Sequence, residues 1–228
     1  MNPRRFGPAL EAYSVWGLIA VLLSVLNLFR DAPTVARYLP LLAAVLFLYL
    51  PPLLVRLRGG ERDFFDDLFS PEVWKRGALW AALAALVVFP PFVLGHYFWM
   101  TQVMHMSWVG FRWAPPPGGW LSFALSQLLL VALSEEFFYR GYLFTRLNQE
   151  YLVRRSVLGV KLGPGWLIQA LLFALGHFLV GFRLFRLNVF FPALLFGWLK
   201  VRSRSLTAPL LLHALSNLLM SLVSGWYR

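Results

Sequence analysis

The chain has 228 residues, 59% of them hydrophobic and 14% charged, with a formal charge of +11. Soluble domains are roughly 45–50% apolar and about 25% charged, so a water-soluble globular class is excluded. Cysteine is absent, which removes disulfides, thiolate metal ligands and a cysteine nucleophile. The basic excess falls in short loops between apolar stretches, where it sets topology and meets lipid headgroups, so nucleic acid is not an expected partner.

In chain order, seven apolar segments approach the ~20 residues that a spanning helix needs. They cover approximately residues 12–29, 38–55, 77–100, 120–144, 165–180, 189–199 and 208–226. None alternates apolar and polar positions, which excludes a β-barrel. The expected fold class is all-α, a polytopic transmembrane helical bundle of about seven to eight helices. The sixth segment is short and either extends back through Phe185 or is broken. Pro51-Pro52 and Pro90-Pro91 lie inside apolar runs and predict kinks or interrupted helices. Between the second and third segments, residues 56–76 mix charges with Phe64, Phe65, Phe69 and Trp74, as an amphipathic helix in the membrane interface would. Ser70-Pro71-Glu72 reads as a helix start, with Ser70 as cap and Pro71 in the first turn.

Pro115-Pro116-Pro117-Gly118-Gly119 marks the one candidate boundary. It separates residues 1–119, membrane helices with the amphipathic loop, from a core at 120–228, the two forming one integrated membrane domain. With seven spans, fourteen of the Lys and Arg residues fall on the side of the N-terminus and six on the other. That bias predicts a cytoplasmic N-terminus and an outward C-terminus.

Within the fourth segment two adjacent acids, Glu135 and Glu136, interrupt an otherwise apolar run. Ionisable groups at membrane depth are costly and by default mark a functional site. At ~100° per residue the two cannot face one point. Glu136 and Arg140 are four apart and can pair on one helix face, which leaves Glu135 to point toward a water or a metal. On the fifth segment His177 shares a face with Phe173. On the seventh, His213 and Asn217 are four apart, a spacing that lets both donate to one oxygen, though such pairs also join membrane helices. At ~1.5 Å per residue, Glu135, His177 and Asn217 lie about 14–18 Å from the same side's helix ends. Three separate helices thus place their polar groups at a similar depth. His96 and His105 fall at the outer end of the third segment and in its loop, and read as structural.

Glu135-Glu136-x-x-x-Arg140, then Phe173-x-x-x-His177, then His213-x-x-x-Asn217, on successive apolar segments, resembles the CPBP family. This is the Rce1/Abi family of CAAX-type prenyl endopeptidases and bacteriocin-processing or immunity proteins. Gly141 and Gly197 add to the likeness, which covers roughly residues 120–220. The chain departs from the family at Arg204, where many members carry glycine in a turn, and at Pro192 and Ala193, a region often richer in glycine. The resemblance implies an eight-helix-like bundle around an intramembrane endopeptidase site. In it Glu135 would be the general base that activates water, His177 would help hold that water, and His213 and Asn217 would stabilise the oxyanion. Glu136 and Arg140 would orient the site from behind.

Glu135, His177 and His213 could also supply a His₂Glu zinc set with an open position, but no His-Glu-x-x-His motif is present. A glutamate-activated water with no required metal is favoured, and zinc is the alternative. Expected partners are the lipid bilayer and a membrane-associated protein or lipidated peptide as substrate. Prenylated CAAX-like tails, leader peptides and C-terminal sorting tails all qualify. The expected location is the bacterial inner membrane. A non-catalytic protein that binds a membrane partner or confers immunity is the second reading. A transporter using Glu135 as a proton site is the third, disfavoured because the polar groups occupy only the second half of the chain.

Overall fold

The computed structural model describes residues 7–57, 70–152 and 154–228. Seven helices are long and apolar enough to cross a membrane: α1 (Pro8–Leu28), α2 (Pro33–Leu57), α3 (Pro71–Val103), α4 (Gly119–Glu150), α5 (Pro164–Gly181), α6 (Leu184–Ser203) and α7 (Thr207–Ser224). The protein is an integral membrane protein with an all-α bundle, and the described residues hold seven spans where the resemblance implied eight. Most of the expected amphipathic segment at 56–76 lies outside the described residues.

Proline opens α1, α2, α3 and α5, where the missing N–H is one of the free donors of a first turn. Ser70 is the N-cap of α3, but its hydroxyl donates to Glu72 Oε2 at 2.9 Å and not as the expected cap of a backbone N–H. Pro51-Pro52 and Pro90-Pro91 do not interrupt their helices. In lipid the neighbouring peptide groups have no other partner, so the helix runs on through the prolines. The sixth span does extend back through Phe185, as a 3₁₀ turn over Leu184–Val189 leading into Phe190–Ser203.

Helix α4 departs most from the regular α-helix. It is π-helical over Gln127–Ala132, α-helical over Leu133–Glu136 and π-helical again over Phe137–Leu143. Wider π turns leave carbonyls in need of donors, and polar side chains supply them. The Ser134 hydroxyl donates to Leu130 O, and Lys200 Nζ donates to Arg140 O and, at 2.9 Å, to Thr145 Oγ1. Lys200, near the end of α6, is therefore engaged within the bundle.

Helix α4 is the centre of the fold. On one flank Val15 and Ile19 of α1, Phe47 of α2 and Phe173 of α5 pack against Phe138, Tyr142 and Leu143 of α4. Phe47 and Phe138 stack with ring centroids 4.9 Å apart. On the other flank Ala81 of α3, Phe196 and Leu199 of α6, and Ala208 and Leu212 of α7 form a second cluster. Close approach of α6 to α5 depends on Gly197, where an added Cβ would stand 2.8 Å from both Gln169 Nε2 and Trp166 Cδ1.

The α4–α5 connection, expected to be a loop, contains an antiparallel hairpin of β1 (Arg155–Val157) and β2 (Val160–Leu162). Its turn residues Leu158 and Gly159 both have positive φ, 48° and 76°, the twist that closes a two-residue hairpin. Val160 and Leu162 bury against Phe144, and Trp198 Nε1 donates to Val157 O at 3.2 Å. At the opposite end, Ser107 and Arg228 exchange backbone hydrogen bonds of 2.8 and 3.0 Å, tying the α3–α4 connection to the C-terminus.

Candidate active site

Helices α4, α5 and α7 bring Glu135, Glu136, Arg140, His177 and His213 to one place in the bundle. Glu136 and Arg140 are fully buried and paired, with Arg140 Nη1 donating to Glu136 Oε1 at 2.8 Å. The guanidinium lies over the Phe173 ring at 4.5 Å and the Phe196 ring at 5.1 Å, and Nη2 donates to Ala193 O at 3.4 Å. Glu136 Oε1 also accepts from His213 Nδ1 at 2.8 Å. Because that oxygen already accepts from Arg140, the proton between Glu136 and His213 belongs on the imidazole.

The second histidine is oriented in the same way. His177 Nδ1 lies 3.0 Å from Phe173 O. A carbonyl only accepts, so Nδ1 carries the proton, and Nε2 is the acceptor of the neutral ring. Both Nε2 atoms face one carboxylate oxygen: Glu135 Oε2 is 3.9 Å from His177 Nε2 and 3.9 Å from His213 Nε2. These separations exceed a direct hydrogen bond, and they are short enough for one small molecule to touch all three groups. Among the described residues, Glu135 Oε2 has no hydrogen-bond partner.

Asn217 lines the same cavity as His213. Its Nδ2 donates to Gln127 Oε1 at 2.8 Å, across to the first π segment of α4. Gln127 was missed in the sequence because eight α-helical residues leave it about 80° from Glu135 around the helix axis. The π segment turns less per residue and narrows that angle. His96, set aside as structural, stacks on Phe92 and meets Tyr227 edge-on. It also lines the same cavity as His213 and Asn217. His105 does not join the cluster.

Two cavities flank the cluster. The larger, about 620 Å³, lies between α3, α5, α6 and α7, with Phe89, Phe92, Phe185 and Phe191 among its walls and His177, His213 and Asn217 at its polar end. The smaller, about 220 Å³, lies between α1, α2 and α5 and includes Glu135, Tyr139, His177 and Arg186. His177 belongs to both.

Among the described residues, no group of three or more His, Asp or Glu side chains is gathered closely enough to hold a metal ion. No step is therefore derived through a metal.

Residues 117–219 match the family model described as type II CAAX prenyl endopeptidase Rce1-like. No curated protein and no solved structure matches the chain.

Proposed function

We propose that this chain, which carries the Rce1-like CAAX endopeptidase domain over residues 117–219, hydrolyses a peptide bond of a membrane-associated substrate with a water activated by Glu135. The observation that carries the reading is the convergence of Glu135 Oε2 with two imidazole Nε2 atoms, 3.9 Å from each. A water there gives one proton toward Glu135 and the other toward His177 Nε2, whose own N–H is committed to Phe173 O.

Glu135 takes the proton as the water oxygen adds to the substrate carbonyl. The tetrahedral oxyanion then needs donors already in position. His213 Nδ1 donates to Glu136, so Nε2 donates to the oxyanion when the ring carries a proton on both nitrogens. Asn217 gives one amide N–H to Gln127 and keeps the second for the oxyanion. Collapse breaks the C–N bond, and the proton on Glu135 passes to the leaving amine. No metal is required in this scheme, and zinc is its competitor.

The large aromatic cavity suits an apolar or lipidated stretch, such as a prenylated CAAX-like tail, a leader peptide or a sorting tail. The charge asymmetry of the loops supports a cytoplasmic N-terminus, and the bacterial inner membrane is the proposed location.

The test is cleavage of such tail peptides by the detergent-solubilised protein, wild type against Glu135→Gln, with and without a chelator. Loss of cleavage in Glu135→Gln by at least about a hundredfold, with no effect of chelator, is expected. Equal cleavage by the two proteins overturns the mechanism, and loss with chelator that zinc restores replaces it with a metal-dependent one.

A further inference from the structure

One ammonium inside the bundle takes no part in the chemistry above. Lys200, half-buried near the end of α6, lines neither of the two cavities. Its Nζ donates to Arg140 O and, at 2.9 Å, to Thr145 Oγ1, and it lies 5.4 Å from the centre of the Phe144 ring. A cation that only sets topology belongs at an exposed position, as Arg202 and Arg204 have. Taking an ammonium partly out of water costs free energy, which these contacts on α4 offset.

The contacts mark a particular place on α4. Arg140 belongs to the π segment Phe137–Leu143, while Phe144 and Thr145 open the α-helical stretch Phe144–Glu150. Lys200 therefore clips the junction at which the helix changes pitch. Where the hydrogen bonds pass from i→i+5 to i→i+4, a carbonyl loses its usual partner, and a donor from another helix favours that state. Around the junction α4 is also tied to α1. The Tyr142 hydroxyl donates to Glu11 Oε1 at 2.9 Å, and Arg146 Nε lies 3.2 Å from the same oxygen. With that end held, a return of the π segment to α pitch would rotate the other end, by about 100° for a shift of one residue. Glu135 and Glu136 would then turn away from His177 and His213.

We infer that Lys200 is a positioning residue: by holding the Arg140 carbonyl it fixes the register of α4 and so the direction of Glu135 and Glu136. Its consequence for turnover rests on the endopeptidase reading, whereas the register does not. Lys200 touches no substrate and moves no proton; it acts through α4.

The test uses the full-length protein in detergent with Lys200→Met, which removes the donors at similar length, and Lys200→Arg, which keeps them. Arg202→Met is the control, because Arg202 lies over the Trp80 ring of α3 at 4.7 Å, at the same end of α6. On a tail peptide, Lys200→Met is expected to lower kcat roughly ten- to a hundredfold with KM changed less than about threefold, the scale of a displacement of about 1 Å at the reacting groups. Lys200→Arg should restore most of kcat, and Arg202→Met should leave it unchanged. Amide hydrogen exchange, read by mass spectrometry, should rise over residues 137–145 in Lys200→Met and return toward wild type in Lys200→Arg. Unchanged kcat in Lys200→Met, a loss that Lys200→Arg does not repair, an equal loss in Arg202→Met, or exchange that rises evenly over the whole chain overturns the assignment. If exchange rises at 137–145 in Lys200→Met while the wild type cleaves nothing, the endopeptidase reading falls alone. Unchanged exchange there, with Glu135-dependent cleavage intact, removes only the role of Lys200.

Discussion

One oxygen, Glu136 Oε1, accepts from both Arg140 and His213 and so links the buried cation of α4 to the imidazole of α7. Removing either side of a buried ion pair leaves an uncompensated charge, at a cost of about 3–5 kcal/mol. In the proposed mechanism the second acid therefore supports the site and is not a spare base. Gln127 does for Asn217 what Glu136 does for His213: it fixes the direction of a donor. Replacing Gln127 by Leu should lower kcat by roughly tenfold, short of the 10²–10³ for losing an oxyanion donor itself, with KM little changed. Gln127→Glu keeps an acceptor and should restore most of the rate; steady-state kinetics on the same tail peptide checks both. A fall in stability with kcat unchanged would make the contact a helix tie alone. Glu135, Glu136, Arg140, His177, His213 and Asn217 were legible because each is a polar residue in an apolar run. Gln127 stands in such a run too, but its meaning depends on the helical pitch around it.

The second π segment places the Arg140 carbonyl under Lys200 Nζ, and both π segments bracket the α-helical turn that carries Glu135 and Glu136. Departures of this kind cluster at functional sites, and nothing in residue type announces them. Arg204 is the reverse case, in which the residue type was informative. It ends α6 in the left-handed conformation, with φ of 51°, at the position where the family resemblance led us to expect glycine. An L side chain there costs roughly 1 kcal/mol, although Arg76 donates to the carbonyls of Ser203 and Arg204 and braces the turn. Arg204→Gly should therefore raise the thermal midpoint in detergent, and a lowered midpoint would mean that the Arg204 side chain makes a compensating contact. The hairpin at 155–162 escaped the sequence reading for a related reason. Leu158-Gly159 lacks the Asn-Gly or Asp-Gly signal, and its strands have only three residues each.

Over the described residues the outer surface is apolar as well as the core. Leu86, Val87 and Leu94 of α3 are more than 70% exposed, while Arg140 and Glu136 are buried. Such a surface is stable only against lipid. Its orientation can be checked cleanly because the chain has no cysteine. Leu158→Cys in the hairpin and Trp113→Cys in the α3–α4 connection are both at well-exposed positions on opposite ends of the bundle. With the N-terminus cytoplasmic, a membrane-impermeant maleimide should label Trp113→Cys in intact cells and Leu158→Cys only after lysis. The opposite pattern would reverse the proposed topology.

The amino-acid sequence by itself determined the membrane class, the seven spans to within six residues at each end, and the six polar positions. Each follows from a cost that acts locally: an apolar run, or a charge within one, means the same thing whatever surrounds it. Tertiary structure alone decided which atoms of those residues face one another. It gave Glu136 to His213, Asn217 to Gln127 and Lys200 to Arg140, and it opened the cavity that Arg186 lines. These partnerships depend on helix rotation, on π turns and on close approaches such as that at Gly197, which are set by packing between elements far apart in the chain.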